Sequence, residues 1–594
     1  VYTTPPAKYD AEGLGGIINI ITNKKLVDGY NGTLNLNNRY PGGPGLGTSF
    51  TVKQGKLGIS GYGGASTYSN PETTLQNMRN TTGSNPTILD QHGVTGSDGK
   101  TGYFGADLSY EIDSLNLISG QLNMNGSSAN SYTNLTSLLN GPKGSVGYDF
   151  LSATNSKSRG MDMALNYQMG FRNDKSKLFT FSYQHNHYTK DADIDLATIN
   201  RADYNAPDYN QINKTSAAEH TVQADYVQTL KKWSVELGAK AIFRDNGSAF
   251  QYNSFDVTTG TFKPDPTLSN NYNSKQHIFA AYNSWQLNTK NVNVKAGLRV
   301  EQTVTDADFM STASAVHQTY FNAIPSLAIN WQLAGNSSIN VGFSQRLKRP
   351  GINRLNPFID RSNPNFQTAG NPNLTRVVVS DISAGYSISK KAKLNFSIFY
   401  DFGDNLDLLV STYDSPTNTT FSTYKNVGKV TGLGNSINFS YPVTNNWNLS
   451  TNSTVMYFTL SGEADGVQRD INFFTVGIYL STNYSFDHGW RLGGNLNING
   501  RNPSGLQGSS NGQISTGLNM NKQLIKNKLS FSAAVSNPFT KYRHNITELS
   551  GNNFTQTTNN QTYFRSFTAS LNYNFGKLKE SVKKTKRGIR NDDN

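Results

Sequence analysis

Leu394-Asn395-Phe396-Ser397-Ile398-Phe399-Tyr400-Asp401-Phe402 follows directly on the polar run Lys390-Lys391-Ala392-Lys393. Successive side chains of a strand point to opposite faces, so this stretch makes one apolar surface and one largely polar one. The pattern recurs outward in both directions along the chain. Phe567, Ala569, Leu571, Tyr573 and Phe575 interleave with Thr568, Ser570, Asn572 and Asn574. Trp233-Val235-Leu237-Ala239-Ala241-Phe243, Met161-Met163-Leu165-Tyr167-Met169-Phe171 and Val292-Val294-Ala296-Leu298-Val300 repeat it. A sandwich core would bury apolar side chains from two facing sheets. A polar second face suits a wet lumen, with the apolar face turned to lipid.

The connections point the same way. Tight ones include Gln54-Gly55, Ile112-Asp113-Ser114, Lys231-Lys232, Thr289-Lys290, Gly335-Asn336, Lys390-Lys391, Asn445-Asn446, Asp487-His488 and Lys526-Asn527. Between them lie long stretches such as Asn70–Gly99, Ser128–Gly160, Lys190–Thr215, Arg346–Val379 and Asn537–Gln561, read as surface loops. A bacterial outer-membrane barrel has short periplasmic turns and long outer loops, so the alternation predicts architecture and orientation together. Counting from Tyr30 to Phe575 gives about 22 strands in an all-β transmembrane antiparallel barrel. A barrel of that size carries a plug in its lumen. Aromatics near strand ends (Tyr30, Tyr40, Trp285, Trp331, Trp447, Trp490, Phe575) fit interfacial girdles.

Composition excludes several alternatives. No run approaches the ~20 apolar residues of a transmembrane helix, and a mean hydropathy of -0.54 is compatible with a barrel, in which only alternate residues meet lipid. The absence of Cys removes disulfide scaffolds and thiolate metal sites. The net charge of +13 is accounted for by solvated loops and lumen, or attracts anionic ligands and lipopolysaccharide phosphates. No basic stripe is interleaved with aromatics on one element, so a nucleic-acid partner is not expected. Nothing marks a nucleophile elbow, and neither an enzyme nor a cofactor is expected.

Residues 1–27 depart from the barrel pattern. Gly13, Gly15 and Gly16 invite a nucleotide-loop reading, but Ile18 stands at the third glycine position and a strand-like apolar run follows where a helix should start. Gly99-Lys100-Thr101 likewise lacks the first glycine of a phosphate loop, since Val94 stands there. Instead, Pro6-Ala7-Lys8-Tyr9-Asp10-Ala11-Glu12-Gly13-Leu14-Gly15-Gly16-Ile17-Ile18-Asn19-Ile20-Ile21-Thr22 resembles the closing segment of the plug in TonB-dependent outer-membrane receptors. Tyr9, Gly13, Gly15, Gly16 and Asn19 mark that motif. Downstream, Tyr320–Leu327, Ser344-Gln345-Arg346, Arg349-Pro350, Leu355-Asn356-Pro357-Phe358 and Gly370-Asn371-Pro372-Asn373-Leu374 resemble the middle barrel signature of the same superfamily. The outer-membrane β-barrel branch is the nearest match. Thr375-Arg376-Val377 departs from the Lys-Pro-Glu that usually follows.

The resemblance implies three parts: the end of a plug over residues 1–27, a transmembrane barrel over 28–576 and a basic periplasmic tail over 577–594. It also implies an upstream signal peptide, TonB box and remaining plug that this chain does not contain, with TonB as a periplasmic partner through that segment. The expected function is uptake of a scarce nutrient (metal chelate, vitamin or glycan) across the Gram-negative outer membrane, amid lipids and lipopolysaccharide. The alternative is a barrel that transports nothing and serves as a passive pore, surface adhesin or assembly partner.

Candidate site residues are few. Arg346 and Arg349, with Lys348, stand at the top of an ascending strand where cations would meet an anionic ligand, or simply keep the strand end soluble. Asn371 belongs with them by position, although Asn371-Pro372 also reads as turn chemistry. His185, His187, Asp191, Asp193 and Asp195 are the one metal-like grouping, imidazole and carboxylate suiting several transition metals. The run lacks the glycine and terminal glutamate of a calcium hand, and a polar outer loop is the plainer reading.

Overall fold

The computed structural model describes residues 28–310, 313–577 and 589. The described residues form a closed antiparallel barrel of 22 strands. Each strand pairs with its neighbours in sequence, and the first, Gly29–Tyr40, pairs with the last, Ser566–Gly576, from Asn31↔Gly576 to Tyr40↔Phe567. Closure matters physically, because an open edge would leave unpaired N–H and C=O groups facing lipid. The only α-helical turn among the described residues is Ile352–Leu355. The plug-end motif at Tyr9, Gly13, Gly15, Gly16 and Asn19, and almost all of the basic tail, lie outside the described residues.

The two faces follow the alternation. Leu36, Ile59, Leu108, Ile398, Leu571 and Tyr573 are exposed on the outer face, the apolar band that a membrane-spanning barrel requires. Ser397 and Asn572 alternate with these residues and so face the lumen, and Ser397 bonds Ser436 across the ladder at 2.8 Å. All five Trp (233, 285, 331, 447, 490) are exposed outward beside the tight turns, as a girdle at one interface requires. The turns are made by local chemistry. Gly335 and Asn336 take φ of 73° and 59°, the mirror-image turn that matches strand twist. The Asp113 carboxylate accepts from the backbone N–H groups of Leu115 and Asn116 at 2.7 and 2.8 Å.

On the opposite side the expectation of long loops needs correction. Asn70–Gly99 and Ser128–Gly160 are mostly strand: Leu57–Thr81 and Ile88–Glu111 flank a six-residue connection, and Asn116–Gly141 and Gly144–Gly170 are joined by Pro142-Lys143 alone. The ladder hydrogen bonds simply continue beyond the membrane, so this wall stands as tall paired hairpins.

Elsewhere the wall is low, since Gly29–Tyr40 and Pro44–Gln54 end early. There the hairpin Tyr542–Ser550/Phe554–Tyr563 fills the gap. Its second strand pairs with the upper part of Leu57–Thr81, from Phe554↔Thr81 to Asn560↔Leu75, above the level where Pro44–Gln54 stops. The barrel thus has an upper storey closed by different strands from the lower one.

Candidate functional site

The lumen wall between residues 209 and 309 carries a buried ionic lattice. Tyr282 donates to Asp225 at 2.6 Å, Ser284 to Glu236 at 2.8 Å, and Arg244 to Glu219 at 2.6 Å. Lys295 pairs with Glu236, and Arg299 with Glu301 on its own strand. These side chains alternate with outward Phe279, Trp285 and Leu298, which is why they all face inward. Charges this deep persist only when paired, and here each named carboxylate has a named donor.

Segment 349–376, which carries the middle signature, is not a surface loop. Arg349 begins it buried, pairing with Glu301 and donating to the Thr303 hydroxyl at 3.2 Å. Asn270 then donates to Asn356 at 3.1 Å, Phe358 packs on Phe250 with ring centroids 4.8 Å apart, and Tyr209 reaches the Arg361 carbonyl at 3.5 Å. Asn365 accepts from Tyr148 at 3.0 Å and from Gln91 at 3.3 Å. The return leg places Leu374 against Tyr272, Ala307, Phe309, Val316 and Leu355 in an apolar cluster. A segment that leaves the wall after Lys348 and bonds Gln91 and Tyr148, far round the ring, crosses the outer mouth.

A neighbouring hairpin leans in to meet it. Lys393–Asp414 and Thr419–Pro442 shift register between Gly403 and Asp407, with Asn405 at φ 59°. Such a bulge re-aims a strand. Above it the flanking strands no longer pair with the hairpin, which leaves its edges free. Phe366–Ala369 adds to one edge as a parallel strand, from Phe366↔Thr420 to Ala369↔Thr423. On the other edge the Gln507 amide bonds the Ser411 N–H and C=O, both at 2.7 Å, as a strand neighbour would.

Arg79 joins the two. It is 0% exposed, at the outer end of Leu57–Thr81. Its guanidinium donates to the Asn365 carbonyl at 3.1 Å, the Thr420 hydroxyl at 3.0 Å and the Asn418 carbonyl at 2.7 Å. The rings of Tyr413 and Phe366 flank it at 4.8 and 5.4 Å. No carboxylate among the described residues pairs with it, and burial pushes its pKa down to about 10. Nearby, stacked tyrosines line the same storey (Tyr148 on Tyr204, Tyr209 on Tyr252), and burial raises Tyr204 and Tyr252 to about 12.

The residues singled out by sequence fare differently. Arg346 and Arg349 are both buried at the root of the segment, Arg349 being held by Glu301 rather than presented to solvent. Lys348 pairs with Asp407 at 3.1 Å. Asn371 shapes a turn, accepting from the Asn373 N–H at 2.9 Å and donating to the Tyr424 carbonyl at 3.0 Å. His185 stacks on His220 at 4.3 Å and lies near His187. The strand continues beyond them to Ala202, which carries Asp191 and Asp195 roughly 20 and 33 Å away at ~3.3 Å per residue. The five therefore do not converge, and no group of three such ligands among the described residues is placed to hold a metal ion. Arg79, Gln91, Tyr148 and Asn365 had no sequence signal, because each looks like an ordinary polar strand or turn position.

A model of the outer membrane protein beta-barrel family matches residues 169–573. No curated protein matches the chain in sequence. Among solved structures the chain is similar to the ferric yersiniabactin uptake receptor FyuA of Yersinia pestis, with TM-score 0.63 and 13% identity over 94% of this chain and 82% of that one. It is similar to the copper transporter OprC (TM-score 0.64, 12% identity, 96% and 82% coverage). The unliganded ferric citrate transporter FecA gives TM-score 0.63 and 11% identity, again over 96% and 82%. At such identities the likeness is one of fold.

Proposed function

The chain belongs to the outer membrane protein beta-barrel family and resides in the Gram-negative outer membrane, and on that premise we propose that it is a TonB-dependent receptor importing a scarce nutrient. The observation that carries this reading is the mouth. A passive pore needs an open path, whereas here a segment and a hairpin tip meet across the outer opening, with a polar, internally neutralised wall below. The fold neighbours are named for ferric yersiniabactin, copper and ferric citrate, so metal or metal-chelate cargo is the part of this proposal to test first. In this reading residues 6–22 are the closing stretch of the plug, and TonB acts through a segment upstream of it. Lipid and lipopolysaccharide cover the outer face. No enzymatic role is proposed.

Deletion of the gene should slow growth when one metal chelate is the sole source of its metal, and deletion of tonB should reproduce the defect. In a background already lacking TonB, deleting the gene should add no further defect; full growth of the deletion strain on every chelate, vitamin and glycan tried would overturn the proposal.

A further inference from the structure

On the reading of this barrel as a receptor, we propose that segment 349–376 is a lid over the outer mouth. It is anchored at both ends and latched on its far side by Arg79, and it swings away to admit ligand.

The two ends are tied to the wall. Arg349 is held by Glu301 and Thr303. At the other end the Thr375 N–H donates to Asn426 at 2.7 Å, and Asn405 donates to the Arg376 carbonyl at 3.0 Å. Between them the segment is stiff. Pro350, Pro357, Pro364 and Pro372 fix φ at four places. The out and return legs are cross-bonded, Gly370 N–H to the Asn356 carbonyl at 2.8 Å and Asn371 N–H to the Arg354 carbonyl at 2.6 Å. Gly370 is required there, since a β-carbon would lie 2.5 Å from both the Arg354 and Asn356 carbonyl oxygens. A stiff body fixed at its ends moves as a flap.

The far side is held differently from the near side. Near the anchors, Leu355 and Leu374 are sealed by apolar contacts. At the tip the contacts are polar or aromatic: Arg79, Gln91 and Tyr148 on Asn365, and the four-residue parallel strand. Hydrogen bonds of this kind have modest net strength, because water replaces them on opening. Arg79 also gains solvation when released, having no carboxylate partner among the described residues. A buried cation held, among the described residues, by carbonyls, a hydroxyl and ring faces makes a latch that water can undo. Elements of low local stability are the ones that move in gating.

The chain contains no Cys, so Ala369→Cys places a single thiol on the lid strand, at a position 6% exposed when closed. Its reaction with a membrane-impermeant maleimide on intact cells should be slow. Adding Arg79→Ala should speed it by about tenfold or more, the loss expected for hydrogen bonds to a charged group, with Arg79→Lys intermediate. Heat-modifiable migration reports whether each variant has assembled. Fast labelling of the Ala369→Cys parent, or equal rates with and without Arg79 in assembled barrels, would overturn the latch.

A second measurement holds if Arg79→Ala fails to assemble. Thr368 and Ser422 are register partners, so Thr368→Cys with Ser422→Cys clamps the lid when oxidised. Amide hydrogen exchange of 349–376 should fall on oxidation and recover on reduction. Exchange as slow as in the barrel strands before clamping would mean that the segment never opens, and the proposal would fail. Neither readout uses TonB or a nutrient, so the lid stands or falls separately from the uptake reading.

Discussion

Leu571 stands directly opposite Leu36 in the strand pair that closes the barrel, and both side chains are exposed on the outer face. Placing Arg there near the bilayer midplane costs about 2–4 kcal/mol, whereas a lumen Arg stays hydrated. Leu571→Arg is therefore expected to impair assembly and Asn572→Arg to assemble normally. Heat-modifiable gel migration in isolated outer membranes distinguishes them. Equal migration of the two variants would refute the assignment of faces.

The same seam has no room at Gly32. A β-carbon built there would lie 2.3 Å from the Phe575 ring, whereas one at Gly477 would meet nothing within 4 Å. Gly32→Val should reduce the yield of folded barrel by displacing Phe575, while Gly477→Ala should leave it unchanged. Circular dichroism and migration of refolded protein test the pair.

Proteinase K added to intact cells should cut the exposed outer connections, within Thr82–Pro86 and within 257–263, and spare 349–376 and the tight turns. This differs from what the sequence reading of Arg346–Val379 as a surface loop would give. Mass spectrometry of the fragments decides it, and early cleavage within 349–376 would show that the segment lies outside the mouth.

Glu301, 1% exposed at its side chain, faces Arg299 and Arg349 together. Removing one partner of a buried pair costs roughly 3–5 kcal/mol, so Glu301→Gln should lower the urea midpoint clearly. Lys348, its side chain 38% exposed beside Asp407, should contribute less than about 1 kcal/mol, and Lys348→Ala should leave the midpoint nearly unmoved. Similar losses in the two variants would mean that the Glu301 lattice is wetter than its burial implies.

Much of the barrel was legible in one dimension. The alternation at Leu394–Phe402 and at Phe567–Phe575 survives as lipid-facing and lumen-facing sets, and a count of about 22 strands agrees with the closed ring. The site was not legible. Asn363-Pro364-Asn365 reads as a turn in any context, and Arg79 reads as a polar alternate. What unites them is an approach between residues 286 apart in the chain.

Strand period, turn chemistry and the lipid-facing stripe are local properties. Each follows from which neighbours a residue has along the chain, so the sequence by itself determined the barrel, its faces and its tight-turn end. The path of 349–376 depended on the fold. It rests on the edge that a bulge at Gly403–Asp407 frees on the neighbouring hairpin, and on a buried cation presented by the opposite wall. A polar, proline-rich segment has too little apolar surface to choose its own position. Its place was decided by the hydrogen-bonding groups that the closed barrel brought within reach.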